Sequence, residues 1–165
     1  MNADAITIRP AAAADLAELL ALLDAVKLPH EGVADCLAGF LVARDAAGRL
    51  VGCVGLEQHG EVGLLRSAAV APALQRAGLG ARLVAALLER ARAQGVREVT
   101  LLTATARDFF AHRFGFVTAD RAAYETRLAA SPEWHLPRCA SAVFMRLTLA
   151  ATGAQAGEST GLPAE

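Results

Sequence analysis

Apolar residues recur along this chain with two periods. Leu79, Leu83, Leu87 and Ala91 step by four with Val84 and Leu88 beside them, predicting a helix from about Leu79 to Gln94 that Gly95 ends. Leu16, Leu19, Leu20, Leu23 and Val26 draw a similar stripe over 15–26, a second amphipathic helix. Lys27 to Gly32 breaks it, and a shorter helix is expected over 33–38. The other apolar runs are strand-length. Ala5–Arg9 is closed by Pro10, and Phe40–Arg44 and Leu50–Glu57 flank the turn Asp45-Ala46-Ala47-Gly48. His59-Gly60-Glu61 turns the chain into a strand over 62–70. Glu98–Thr103 is expected parallel to that strand, because a helix crosses between them. Thr105 and Asp108 have the spacing of a capping box for a short helix through Arg113, stopped by Gly115. Strands opening at Phe116 and over 140–149 complete one expected domain, 1–149. The remainder, 150–165, is rich in Ala, Gly, Ser and Thr and reads as a disordered tail.

The junction of the strand 62–70 with the long helix carries the first chemical signal. Gln75-Arg76-Ala77-Gly78-Leu79-Gly80-Ala81 is a glycine-bearing turn into a helix start, where free backbone N–H groups face outward and suit an anion. Gly78 and Gly80 remove Cβ atoms that would hold a phosphate away, and Arg76 adds a positive charge. The same arrangement also serves as a plain connection. It is neither the dinucleotide fingerprint nor a Walker A loop.

Arg66 is the second signal. It lies within the apolar run Leu64-Leu65-Arg66-Ser67-Ala68-Ala69-Val70, where an unpaired charge is costly. Regular pleating puts it on one face with Leu64, Ala68 and Val70. Two readings stay open: a structural ion pair with a buried Asp or Glu, or a clamp for a substrate carboxylate.

A net charge of −1 over 165 residues, without basic blocks, argues against nucleic acid, and no apolar run reaches the length of a bilayer span. Three scattered cysteines, Cys36, Cys53 and Cys139, argue for a reducing compartment, with the cytoplasm as the expected location. They form no local ligand motif, so no metal is expected.

Gln75 to Gly80, preceded by Val70 and Pro72, resembles the Gln/Arg-x-x-Gly-x-Gly/Ala motif of the GNAT superfamily of N-acetyltransferases. Thr103 to Phe116, with Phe109-Phe110 and Gly115-Phe116, resembles a second block of that family. The resemblance implies an α/β (α+β) fold, a mixed central sheet of six to seven strands with helices on both faces. It implies acetyl-CoA as cosubstrate, its pyrophosphate on the turn Gln75, Arg76, Ala77, Gly78, Leu79, Gly80 and Ala81. The pantetheine arm would lie along Ala68, Ala69 and Val70, with Thr103, Phe109 and Phe110 lining its other side. The oxyanion donor would be a backbone N–H near Ala69 or Val70. Where the family often has a tyrosine to protonate the leaving thiolate, this chain has Phe110, which has no proton to give. Tyr124, the one tyrosine, is then a candidate, as are Thr103, Ser67 and water. No general base is evident; Glu57 and Glu61 stand near strand ends.

The block Leu101–Ala106 with Phe109-Phe110 is also similar to glutamate N-acetyltransferases. Leu64–Pro72 and 139–143 resemble the acetyltransferases encoded in bacterial arsenic-resistance operons. Both resemblances imply a small amino-acid-like amine as acceptor, with Arg66 orienting it, and the second implies an arsenic-containing one, acetylated as a detoxification step. His30 and Glu31 are polar residues of a loop that the family places over the acceptor. A homodimer is a family expectation. Three alternatives stay open: acetylation of a protein N-terminus or lysine, a non-catalytic acyl-CoA sensor, and metalloid binding by the three cysteines.

Overall fold

A computed structural model describes residues 5–136 and 141–150. Its strands are β1 (Thr7–Pro10), β2 (Phe40–Arg44), β3 (Leu50–His59), β4 (Val62–Val70), β5 (Glu98–Thr103), β6 (Val117–Thr118) and β7 (Val143–Thr148). They form one seven-stranded sheet in the order β1-β2-β3-β4-β5-β7-β6. β4 and β5 are parallel, and the other neighbours antiparallel. The helices are α1 (Leu16–Ala25), α2 (Leu79–Ala93) and α3 (Arg107–Phe114). The expected mixed fold is the one observed, and among the described residues no helix is long and apolar enough to cross a membrane. Of the expected tail, 150–165, residues 151–165 lie outside the described residues, as does Ala140 at the start of the expected last strand.

Two expectations need correcting. The helix expected over 33–38 is a 3-10 segment, Ala34–Gly39, kinked at Cys36. The Thr105–Asp108 capping box does not close, because α3 starts too late for it. Ala106 is the N-cap, Asp108 falls one position short of the reciprocal site, and the Thr103 hydroxyl accepts the Ala106 N–H at 2.9 Å instead.

Strand alternation sorts the core into two faces. Leu56 and Leu65 join the cluster under α2 and α3, with the α2 stripe Leu79, Leu83, Leu87 and Ala91. Each buried leucine of that stripe contributes about 2 kcal/mol. On the opposite face, Phe40, Val42 and Cys53 pack against Leu19, Leu22 and Leu23 of α1. Farther along, Val62, Leu64 and Phe144 meet Tyr124, Leu128 and Trp134 from the segment between β6 and β7. Glu57 and Arg66 follow Leu56 and Leu65 in sequence, so they fall on this second face, with the α1 cluster to one side and the Trp134 cluster to the other.

Candidate active site

The sheet opens where β4 leaves β5. Their pairing runs from Val62↔Glu98 to Leu65↔Leu101 and stops there. Toward β3 the register slips: Cys53 pairs with Ala69, but Gly55 pairs with Arg66, so β4 carries one extra residue. Ser67 sits in that bulge at φ +60, rare for a residue with a Cβ, and its carbonyl accepts the Cys53 thiol at 3.3 Å. The bulge ends the regular pleat after Arg66, so Arg66, Ala68 and Val70 do not form the single face expected of an unbroken strand. A cavity of about 490 Å³ fills the opening. Arg66, Ser67, Ala68, Ala69 and Val70 form one wall, and Thr103, Ala106, Phe109 and Phe110 the other, with Gly80 at its α2 end.

The turn into α2 leaves its first amides without a side-chain cap. Gly78 is the N-cap at φ +89 and offers no capping side chain, and a Cβ there would meet nothing within 4 Å. The first bond into the helix runs from the Arg82 N–H to the Gly78 carbonyl at 3.1 Å, so the amides of Leu79, Gly80 and Ala81 precede it. These amides fit a pyrophosphate, as do the open space over Gly78 and the exposed Arg76, itself at φ +70. Gln75 has a bracing role: its side-chain amide donates to the Val70 carbonyl at 3.1 Å, tying the turn to the end of β4. Leu79 is buried, so its side chain serves the core. Gln75, Arg76, Ala77, Gly78, Leu79 and Ala81 lie outside the cavity lining, whereas Arg66, Ala68, Ala69, Val70, Gly80, Thr103, Phe109 and Phe110 are in it.

A splayed pair of parallel strands leading into an uncapped helix is matched by a sequence finding. The model of the acetyltransferase (GNAT) family matches residues 14–116. The chain belongs to the GNAT acetyltransferase family. Among solved structures it is similar to N-acetylglutamate synthase from Neisseria gonorrhoeae complexed with coenzyme A and N-acetyl-glutamate (TM-score 0.73, 25% identity). The match covers 88% of this chain and 35% of that one, so the GNAT chain spans about a third of the synthase. Rv2747 from Mycobacterium tuberculosis, in complex with CoA, shares the fold over 87% of this chain and 99% of its own (TM-score 0.72, 24% identity). Ard1 from Thermoplasma volcanium does so over 88% and 99% (TM-score 0.68, 20% identity). Among curated protein sequences nothing matches.

The polar part of this GNAT cavity centres on Arg66, which is fully buried. Its Nη1 donates to Glu57 Oε2 at 2.8 Å and its Nε to Ser67 Oγ at 3.1 Å, while Glu133 Oε1 lies 3.3 Å from Nε. Nη2 is buried and has no hydrogen-bond partner among the described residues. The far oxygen of Glu57 meets His59 Nε2 at 3.1 Å. The ion-pair reading of Arg66 thus has its counterpart in Glu57, and one buried donor, Nη2, is left over.

Like Lys27, Glu133 is a charged cavity residue that sequence reasoning missed. It stands in the 3-10 turn Glu133–His135 and is buried. Burial pushes its carboxyl up to about 7; Arg66 opposes the shift and Glu57 adds to it. The available signal was its neighbour Trp134, the chain's one tryptophan. That ring stacks edge-on against Phe144 at 5.2 Å, and its N–H donates to Glu125 Oε1 at 2.9 Å. A residue next to such an anchor is held in place.

Other candidates are placed elsewhere. Tyr124 lies outside the cavity lining, packed on Phe144, and its hydroxyl donates to Glu98 Oε2 at 2.6 Å. Burial and that bond raise its pKa, so its proton is committed to Glu98. Thr103 and Ser67, by contrast, put hydroxyls on the cavity wall. From the loop after α1, Lys27, Leu28 and Pro29 line the cavity, whereas His30 pairs with Asp24 at 3.2 Å. Cys36 and Cys53 are free thiols pushed up by burial to about 11 and about 12, so both stay protonated at neutral pH. Cys139 lies outside the described residues.

Proposed function

We propose that the chain transfers acetyl from acetyl-CoA to the primary amine of a small amino-acid-like acceptor. The observation that carries the acceptor class is the orphan Nη2 of Arg66. A buried guanidinium donor without a partner is expensive, and an acceptor carboxylate that reaches it from the cavity would satisfy it. Lys27 adds a second cation to the same lining. The synthase relative complexed with N-acetyl-glutamate supports an acceptor of this kind.

Each part of the wall then has a task. The amides of Leu79, Gly80 and Ala81, with Arg76, hold the pyrophosphate. Backbone along Ala68, Ala69 and Val70 pairs with the pantetheine arm, and Thr103, Phe109 and Phe110 shape its other side. A backbone N–H near Ala69 or Val70 points at the oxyanion that forms when the amine adds to the thioester. Arg66 holds the acceptor carboxylate and so fixes its amine for attack. Arsenic-containing amino acids of similar size belong to the same acceptor class.

Comparing an α-amino acid with its decarboxylated amine tests the clamp. Arg66→Lys keeps a cation beside Glu57 but removes Nη2. For the amino acid KM should rise roughly tenfold or more, whereas the KM of the decarboxylated amine should be unaffected; any change in kcat should be shared by both. Equal effects on the KM of both acceptors would remove Arg66 from the acceptor site and reopen a protein substrate.

A further inference from the structure

We propose that Glu133 is the general base of this site, taking the proton of the acceptor ammonium as the amine attacks. The inference rests on the acetyl-transfer reading above. Glu133 lines the same cavity as Arg66 and the β4 bulge. Its Oε1 is 3.3 Å from Arg66 Nε. An acceptor that reaches the neighbouring Nη2 with its carboxylate would hold its α-amine near the Glu133 carboxylate. One guanidinium thus serves both ends of an α-amino acid: its free donor meets the acceptor carboxylate, and its Nε side places the base.

The surroundings suit the task. Arg66 faces Glu133 from β4 and Glu57 from β3; Cys36, from the Ala34–Gly39 segment, is coupled to both carboxylates and to Arg66. Lys27 shares the cavity wall, His59 holds the far side of Glu57, and Arg121 lies over the Trp134 ring at 4.7 Å. Burial raises the Glu133 carboxyl to about 7, close to where a base works at neutral pH. The clamp from Arg66 keeps a useful fraction ionised.

The proton count closes. The ammonium gives one proton to Glu133; its nitrogen lone pair forms the N–C bond while the carbonyl π pair moves to oxygen. The oxygen pair then re-forms the carbonyl and expels the thiolate as the C–S bond breaks. The second nitrogen proton goes to the sulfur, and Glu133 returns its own to solvent.

Thiol release by the full chain, measured from pH 5.5 to 9.5 with an α-amino acid, tests this. In the parent, log kcat/KM should rise and level off near pH 7. Glu133→Gln should lose about 10²–10³-fold at pH 7 and keep rising with unit slope towards the pKa of the amine, because only free amine then reacts. Its Tm and acetyl-CoA affinity should match the parent. Glu133→Asp keeps a carboxylate and should retain the break near pH 7 at reduced rate, so a poorly folded Gln variant does not shelter the proposal. A Gln variant within threefold of the parent, or one keeping the break near pH 7, overturns the base and leaves the transferase reading intact. A parent releasing no thiol with any amine overturns both.

Discussion

At the scale of single residues, the charged groups of the second sheet face decide what the cavity can do. Arg66 was legible as an anomaly in an apolar strand, but which carboxylates would meet it was not. Glu57 lies nine positions earlier and Glu133 sixty-seven later, in a segment with no apolar period. Tyr124 shows the opposite case: its chemistry suited a proton donor, yet Glu98 claims its hydroxyl. Tyr124→Phe should therefore leave kcat within about twofold and cost roughly 1 kcal/mol of stability, one buried hydrogen bond, by thermal melt and steady-state kinetics. Glu133 carries a linked stability effect. Its carboxyl is raised in the fold, so the stability it contributes is full below the ordinary carboxylate range and is lost as pH rises through about 7. Above pH 7 the carboxylate is ionised and its burial disfavours the folded state, so Glu133→Gln should melt no lower than the parent at pH 8.

At the scale of elements, the strands and long helices follow from apolar period and from glycine, and their bounds fall within one or two residues of expectation for β2, β3, β4, β5 and α2. The bulge at Ser67 was not legible, since it arises from how β3 and β4 register and from the parting of β4 and β5. The turn at Gly78 was legible because φ +89 needs glycine there. Gly78→Ala should cost about 1–2 kcal/mol of backbone strain and weaken acetyl-CoA, raising its KM while leaving the acceptor KM unchanged. The start of α1 is held differently. Asp15 is buried and bonded by Arg9 at 2.8 and 2.9 Å, by Arg44 at 2.7 Å and by the Ala12 N–H at 2.7 Å. The Arg9 bonds lead in holding its carboxyl well below the usual carboxylate range, with Arg44 and Ala12 adding to them. A depressed pKa means this stability is present above the unfolded value and is lost as pH falls through the folded one. Asp15→Asn should lower Tm by several degrees at pH 7, and the gap to the parent should narrow in strong acid.

At the scale of the whole molecule, one sheet is covered on its first face by α2 and α3 and on its second by α1 and the segment around Trp134. The cavity lies where β4 and β5 part, between the glycine turn and the buried Arg66. The glycine turn and the block ending at Phe116 made the family legible in the sequence. The proposed acceptor side draws on the loop after α1, the middle of β4 and the 3-10 turn at Glu133, three places that no single motif spans. The most direct measurement is acetyl transfer by the unaltered protein, followed as thiol release and as mass of the acetylated product. The acceptors are a panel of α-amino acids, their decarboxylated amines, and peptides with free N-termini or lysines. N-acetylated amino acids should form in equal amount with released thiol, at kcat/KM at least tenfold above the amines lacking the carboxylate and above the peptides. Equal rates for amino acids and decarboxylated amines, peptide acetylation in preference to both, or acetyl-CoA binding without thiol release would contradict the account.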